Sequence, residues 1–184
     1  EIEIADACLI QDDRLVLFEI KAVWVRDDRA LEDDSEAYVE ELREKYGRNG
    51  RAGDQLAAAT RNLIARRWAL HGHDMSSTRR IYPILVSYDP LADAPGHPWF
   101  FRSEFADALA PDRLVFKSKI MMQMGQWEIA PLLVLPVHLI EDLEASVKNF
   151  GFTDLLDDYC AFCDANLRDE SDDCSLSEFI GASE

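Results

Sequence analysis

The stretch ADACLIQDDRLVLFEIKAVW, residues 5 to 24, constrains the fold of this chain more than any other. Runs rich in Ile, Leu, Val and Phe lie on either side of the polar turn QDDR. They predict two strands, over residues 2–10 and 15–25, joined as a hairpin. Yet the first run carries Asp6 and the second carries Glu19 and Lys21. Charge inside an apolar strand is costly to bury and calls for a reason. With the turn centred on Asp12 and Asp13, paired residue numbers sum to 25 and Asp6 faces Glu19. Directly paired residues of an antiparallel ladder share a face, with Cβ atoms about 4.5–5.5 Å apart. Lys21, two residues past Glu19, shares it too. Two carboxylates and one ammonium are therefore expected to converge.

Two carboxylates that close repel each other and raise one pKa. A divalent cation relieves the repulsion, and Mg²⁺ takes one or two carboxylates together with water and phosphate oxygens. An ion held there polarises a phosphate and lowers the pKa of a bound water. Lys21 is placed to steady the attacking water or the charge that builds on phosphorus. The chemistry expected of such a site is phosphodiester hydrolysis. The plainer alternative is a salt bridge between Lys21 and one of the carboxylates at the strand ends. The string E-x-K alone is common. Its weight comes from the apolar residues around each charge, the register, and a following helix that carries a polar residue.

These residues resemble the PD-(D/E)XK nuclease superfamily, the restriction-endonuclease-like fold. The likeness rests on Asp6, on FEIKA with Glu19 and Lys21, and on GDQLAAATRNL with Gln55 early in a long helix. The resemblance implies an α/β domain: a restriction-endonuclease-like mixed sheet flanked by helices. It implies Asp6, Glu19 and the backbone carbonyl of Ile20 as metal ligands for Mg²⁺ or Mn²⁺. Lys21 becomes the catalytic lysine, and Gln55 a side chain turned toward the site. Ala5 stands where the name-giving proline would be. The family's first helix and first strand would lie before residue 1. Residues 1–91 are thus read as the nuclease-like core. Residues 92–184 are read as an α/β to helical, acidic extension on the same domain.

The net charge of −17 argues against nucleic acid when taken over the whole chain, because phosphate binding rests on Lys and Arg. The charge is uneven, however. Residues 43–80 hold nine basic and three acidic residues, whereas residues 141–184 hold thirteen acidic and two basic ones. The basic segment, with Arg48, Arg51, Arg61, Arg66 and Arg67, is expected to hold a DNA backbone beside the hairpin. A solvated helix face is the bland alternative. The acidic half offers a surface for a basic protein partner. The rival function is a catalytically inactive nuclease-fold domain that binds nucleic acid or protein within a larger protein; a purely structural domain is a third.

Along the rest of the chain, SEAYVEELREKYG and DQLAAATRNLIARRWAL read as helices, N-capped by Ser35 and Asp54 and, for the first, stopped by Gly47. RIYPILVSYDPL and IAPLLVLPV read as buried strands, the former broken near its start by Pro83. WFFRSEFADAL, HLIEDLEASVKNFG and FTDLLDDYCAFCDANL read as helical, residues 113–128 carry no clear period, and the tail from Arg168 reads as loose until LSEFI. The longest apolar run is too short for a membrane span. Four Cys without a secretory signal suggest a reducing, cytoplasmic setting. Cys160 and Cys163, with Cys174 beyond them, read as buried structural thiols rather than a zinc site. His71 and His73 read as an ordinary polar loop, and the Met-rich KIMMQMGQW as packing. Trp24, Trp68, Trp99 and Trp127 are scattered and suggest no stacking platform.

Overall fold

The hairpin forms in the register that its turn sets. In the computed structural model, which describes residues 5–24, 35–47, 52–65, 75–110, 121–140, 143, 151–166 and 174–182, β1 (Ala7–Gln11) pairs antiparallel with β2 (Arg14–Lys21). The ladder runs from Gln11↔Arg14 to Ala7↔Phe18. Asp12 and Asp13 make a two-residue loop, and Asp12 takes φ 54°, a left-handed conformation that Asp tolerates better than most residues.

From β2 the chain passes through α1 (Ser35–Tyr46) and α2 (Ala52–Ile64) to β3 (Arg80–Ser87), which lies parallel to β2. Next come a 3₁₀ turn at Pro90–Asp93 and α3 (His97–Leu109). A second hairpin pairs β4 (Met122–Met124) with β5 (Trp127–Ile129), turned at Gly125 with φ 65°. β6 (Leu133–Pro136), a 3₁₀ turn at Val137–Leu139, α4 (Phe152–Asn166) and α5 (Leu176–Ala182) complete the described elements. The result is an α/β fold with a mixed, open, six-stranded sheet, ordered β1-β2-β3-β5-β4, with β6 also on β3. The sheet crosses residue 91, since β3 pairs with β5 and β6.

β2 and β3 are covered on both faces, as parallel strands usually are. Leu15, Leu17, Ile81 and Leu85 pack with α1, α2 and α3, through Leu42, Tyr46, Leu56, Leu63, Phe101 and Phe105. Val16, Tyr82, Ile84 and Val86 pack on the other side with α4 and α5, through Leu155, Leu156, Tyr159 and Phe179. Odd-numbered residues of β2, including Glu19 and Lys21, therefore face the layer that contains α2.

Pro83 lies within β3 rather than breaking it. Ile81 accepts from the Ala130 N–H through its carbonyl, so position 83, two residues on, faces the same neighbours. Pairing there runs Arg80↔Glu128 and Ile81↔Ile129, then resumes at Ile84↔Leu133. The offset grows by one residue between the two stretches. The missing N–H of Pro83 thus meets a bulge, the place where a sheet tolerates proline.

One expectation about the C-terminal half changes. Cys163 and Cys174 are joined in a disulfide with Cα atoms 5.7 Å apart, so neither is a free thiol and the pair is withdrawn from any zinc site. Cys160 stays reduced and buried, its pKa pushed up to about 12, chiefly by desolvation. A disulfide suits an oxidising compartment, so the cysteine count carries no argument for a cytoplasmic setting. LSEFI is helical as expected, and Ser175 precedes it: its hydroxyl accepts from the Glu178 N–H at 3.1 Å, while the Glu178 carboxylate accepts from the Ser175 N–H at 3.2 Å. This capping box starts α5. Residues 66–74, with Trp68, His71 and His73, lie outside the described residues, as does most of HLIEDLEASVKNFG.

Candidate functional site

The site lies at the C-terminal ends of β2 and β3. Ala7↔Phe18 is the last rung of the hairpin, and Asp6 stands just beyond it. Its carboxylate takes over the next hydrogen bond, accepting from the Ile20 N–H at 2.7 Å. In a strand the N–H and C=O of one residue point to the same side. The Ile20 carbonyl therefore points toward the Asp6 side of β2.

Glu19 faces the opposite way from Ile20, into the layer of α2, and is only 4% exposed. Its Oε1 accepts from Lys21 Nζ at 2.6 Å. Lys21 Nζ also donates to Gln55 Oε1 at 2.9 Å. Gln55 reaches Lys21 because α2 begins at Ala52, placing residue 55 in the first helical turn. The helix starts three residues before Gln55, the first helical position that an Asp54 cap implies. The structure thus brings Glu19, Lys21 and Gln55 into one bonded chain, with Asp6 fixed to the same strand through Ile20.

The strand ends are braced from behind. Tyr46, at the end of α1, donates through its hydroxyl to the Val23 carbonyl at 2.9 Å and lies 3.3 Å from Ser87 Oγ. Ser87 is the register partner of Lys21. Burial, with the nearby Asp89 charge adding to it, pushes the Tyr46 pKa up to about 12. Ser87 Oγ in turn accepts from the Asp89 N–H at 3.1 Å. No sequence signal marked Tyr46, because its role depends on a helix and two strands meeting far apart in the chain.

The described part of the basic segment is already engaged. Arg43 pairs with Glu104 at 3.1 Å, and Lys45 with Glu41 at 2.7 Å. Arg61 donates to the Ala108 carbonyl at the C-terminal end of α3, where helices leave acceptors open. Arg79 donates to the Ser76 carbonyl at 2.8 Å. Arg80 joins Glu128 and Asp157. Of the five arginines expected to hold nucleic acid, only Arg61 is described, and it has this structural task; Arg48, Arg51, Arg66 and Arg67 lie outside the described residues.

The ligands that the resemblance implies, Asp6, Glu19 and the Ile20 carbonyl, offer hard oxygen donors of the kind Mg²⁺ accepts. Among the described residues, no group of three or more His, Cys, Asp or Glu side chains is arranged to hold a metal. Among the same residues, no helix is long and apolar enough to cross a membrane. A scan against protein-family models and searches of curated proteins and of solved structures gave no match.

Proposed function

We propose that the chain is a metal-dependent nuclease of the restriction-endonuclease-like, PD-(D/E)XK type, hydrolysing DNA phosphodiester bonds with Mg²⁺ or Mn²⁺. The observation that carries this reading is the pairing of Glu19. A carboxylate with 4% exposure has lost most of its hydration, yet its cationic partner is Lys21 on the same strand. Through Lys21 the pair is joined to Gln55 in the first turn of α2, so a carboxylate, an ammonium and an amide meet at the strand end. Desolvating such a pair is costly. Such a pair makes sense where chemistry needs both charges.

Asp6, Glu19 and the Ile20 carbonyl would hold the ion. When bound, it supplies a polarised phosphate and an acidified water. Lys21 brings a positive charge to the phosphate as charge builds on it. Gln55 orients the Lys21 ammonium through the 2.9 Å bond. The start of α2 adds the positive end of a helix dipole close to that bond. Arg48, Arg51, Arg66 and Arg67 would contact the DNA backbone.

The test is cleavage of plasmid and linear DNA with Mg²⁺, with Mn²⁺ and with EDTA, run beside Lys21→Ala. Metal-dependent cutting that Lys21→Ala removes supports the reading. Cutting that survives in Lys21→Ala, or that persists in EDTA, overturns it. One observation favours a second reading, an inactive binding module. Asp6 is satisfied by Ile20, and Lys21 by Glu19 and Gln55, so this set of bonds closes within the protein. DNA binding with no cleavage under any metal is the outcome that selects it.

A further inference from the structure

Lys21 and Gln55 meet although β2 ends at Lys21 and α2 begins only at Ala52. Apolar packing of Leu56 and Leu63 with Leu15 and Leu17 brings the two elements together. Such packing is non-directional, whereas a hydrogen bond weakens steeply when its length or angle is off. The 2.9 Å between Lys21 Nζ and Gln55 Oε1 therefore calls for a finer device.

The last residue of α1 and the one after it bond to both sides. Tyr46 donates its hydroxyl to the carbonyl of Val23, two residues past Lys21, at 2.9 Å. Gly47 accepts through its carbonyl from the N–H of Asp54, the residue before Gln55, at 3.3 Å. The Tyr46 hydroxyl also lies 3.3 Å from Oγ of Ser87, the register partner of Lys21. Tyr88, next to Ser87, donates its N–H to the Lys21 carbonyl at 3.1 Å. The main chain around Lys21 is thus held from β3 and, two residues on, from α1, while the chain that leaves Tyr46 holds the start of α2.

This junction has little slack. Tyr46 is 1% exposed, with its ring edge-on to Phe101 at 5.3 Å between centroids. A phenylalanine would fill the same space, and a buried hydroxyl is costly unless it is bonded. At Gly47 a Cβ would lie 3.2 Å from the Cα and the carbonyl oxygen of Arg43, closer than side chains ordinarily come. We infer that Tyr46 is a positioning residue for the Lys21–Gln55 pair: its hydroxyl, acting through the Val23 carbonyl, fixes the end of β2 against the junction from which α2 starts. The geometry of the pair owes nothing to the nuclease reading, whereas a consequence for rate rests on it.

The test replaces Tyr46 by Phe, which keeps the ring and removes the hydroxyl. Beside it stands Tyr82→Phe, which removes a buried hydroxyl bonded to Asp157 near the start of β3. In protein carrying isotope-labelled lysine, the NMR signal of the Lys21 ammonium is identified by its loss in Lys21→Arg. Tyr46→Phe should speed the exchange of that ammonium with water roughly tenfold, near the worth of one hydrogen bond to a charged group. It should also lower kcat roughly tenfold with KM for DNA unchanged. Tyr82→Phe should lower the melting temperature and leave both readouts as in wild type. Ser87→Ala, which removes the neighbour of the Tyr46 hydroxyl, should act as Tyr46→Phe does but more weakly, and it decides the matter if Tyr46→Phe does not fold. Unchanged Lys21 exchange overturns the inference whatever the melts show. An equal effect of Tyr82→Phe on Lys21 overturns it as well, because the change then follows stability alone. In a protein that cleaves, faster exchange with an unchanged kcat also overturns it. A wild-type protein that does not cleave removes the nuclease reading, and Lys21 exchange alone then decides.

Discussion

β2 and β3 carry a charged cluster at each end, and the two are built on opposite plans. At the N-terminal end, Arg14 meets Asp154 at 2.9 Å and Asp157 at 2.6 Å, while Arg80 meets Glu128 at 2.7 Å and also Asp157. Tyr82 donates its hydroxyl to Asp157 as well. These bonds join two strands to β5 and to α4, across as many as 140 residues of sequence. The arginine forks engage several acceptors at once, which suits a clamp. Its cluster of opposite charges is partly open to water and needs no ligand. At the C-terminal end, the ion pair is local, one carboxylate is almost fully buried, and the cation is a lysine. One cluster holds the fold together; the other, on the proposed reading, would place charge where an ion and a phosphate could use it.

Exchanging the readouts should separate these roles. Lys21→Ala should lower cleavage about 10³-fold, while its melting temperature in Mg²⁺ stays close to wild type because the ion compensates Glu19. A drop of roughly 3–5 kcal/mol in stability, with no wild-type cleavage to lose, would falsify the division. Asp157→Ala should do the reverse. Removing the acid shared by Arg14 and Arg80 should cost about 3 kcal/mol, the low end because these side chains are partly exposed. For a domain of this size that is roughly a 10 °C fall in melting temperature. Cleavage per folded molecule at low temperature should hardly change.

Reduction of Cys163–Cys174 is a further probe of the clamp side, since it frees the closure of an eleven-residue separation between α4 and α5. Melts with and without dithiothreitol should differ by just under about 3 kcal/mol, and activity at 25 °C should survive. Gln55→Ala should be milder than Lys21→Ala: a loss of roughly tenfold in kcat, near the worth of one hydrogen bond to a charged group, with KM for DNA unchanged. A KM effect alone would move Gln55 from orienting Lys21 to binding substrate. The last effect appears only in alkali. Burial raises the Cys160 pKa from its ordinary 9.0 to about 12. The unfolded chain therefore loses this proton first. The stability it lends is full below pH 9 and is lost as pH rises toward 12. Cys160→Ala should flatten that part of the stability curve; an unchanged slope assigns it to the buried hydroxyls of Tyr46 and Tyr82.

The contrast also marks what the sequence made legible. The hairpin, its register and the shared face of Glu19 and Lys21 follow from a period of two and a short turn, both local. Gln55 was marked only by the family resemblance, which sets a polar residue early in the helix after the hairpin. The clamp did not, because Arg14 and Asp157 are ordinary surface residues until α4 folds back over the sheet. Cys163 and Cys174 looked like thiols because a pairing needs the return of α5, which composition does not announce. β4 and β5 were unreadable because strands of three residues are too short to show alternation. Pro83 looked like a break because its tolerance depends on a bulge in another strand.

The Asp6 carboxylate gives the last rung of the hairpin a side-chain acceptor in place of a backbone one. Local fraying of a strand end is the cheapest opening a sheet permits, and here it would take the proposed metal ligand away with it. On the proposed reading, assembly of the catalytic centre would therefore be tied to closure of a sheet edge. The amide of Ile20 becomes its natural reporter: hydrogen–deuterium exchange at that single position counts how often the centre comes apart, and an ion bound to Asp6 slows the count.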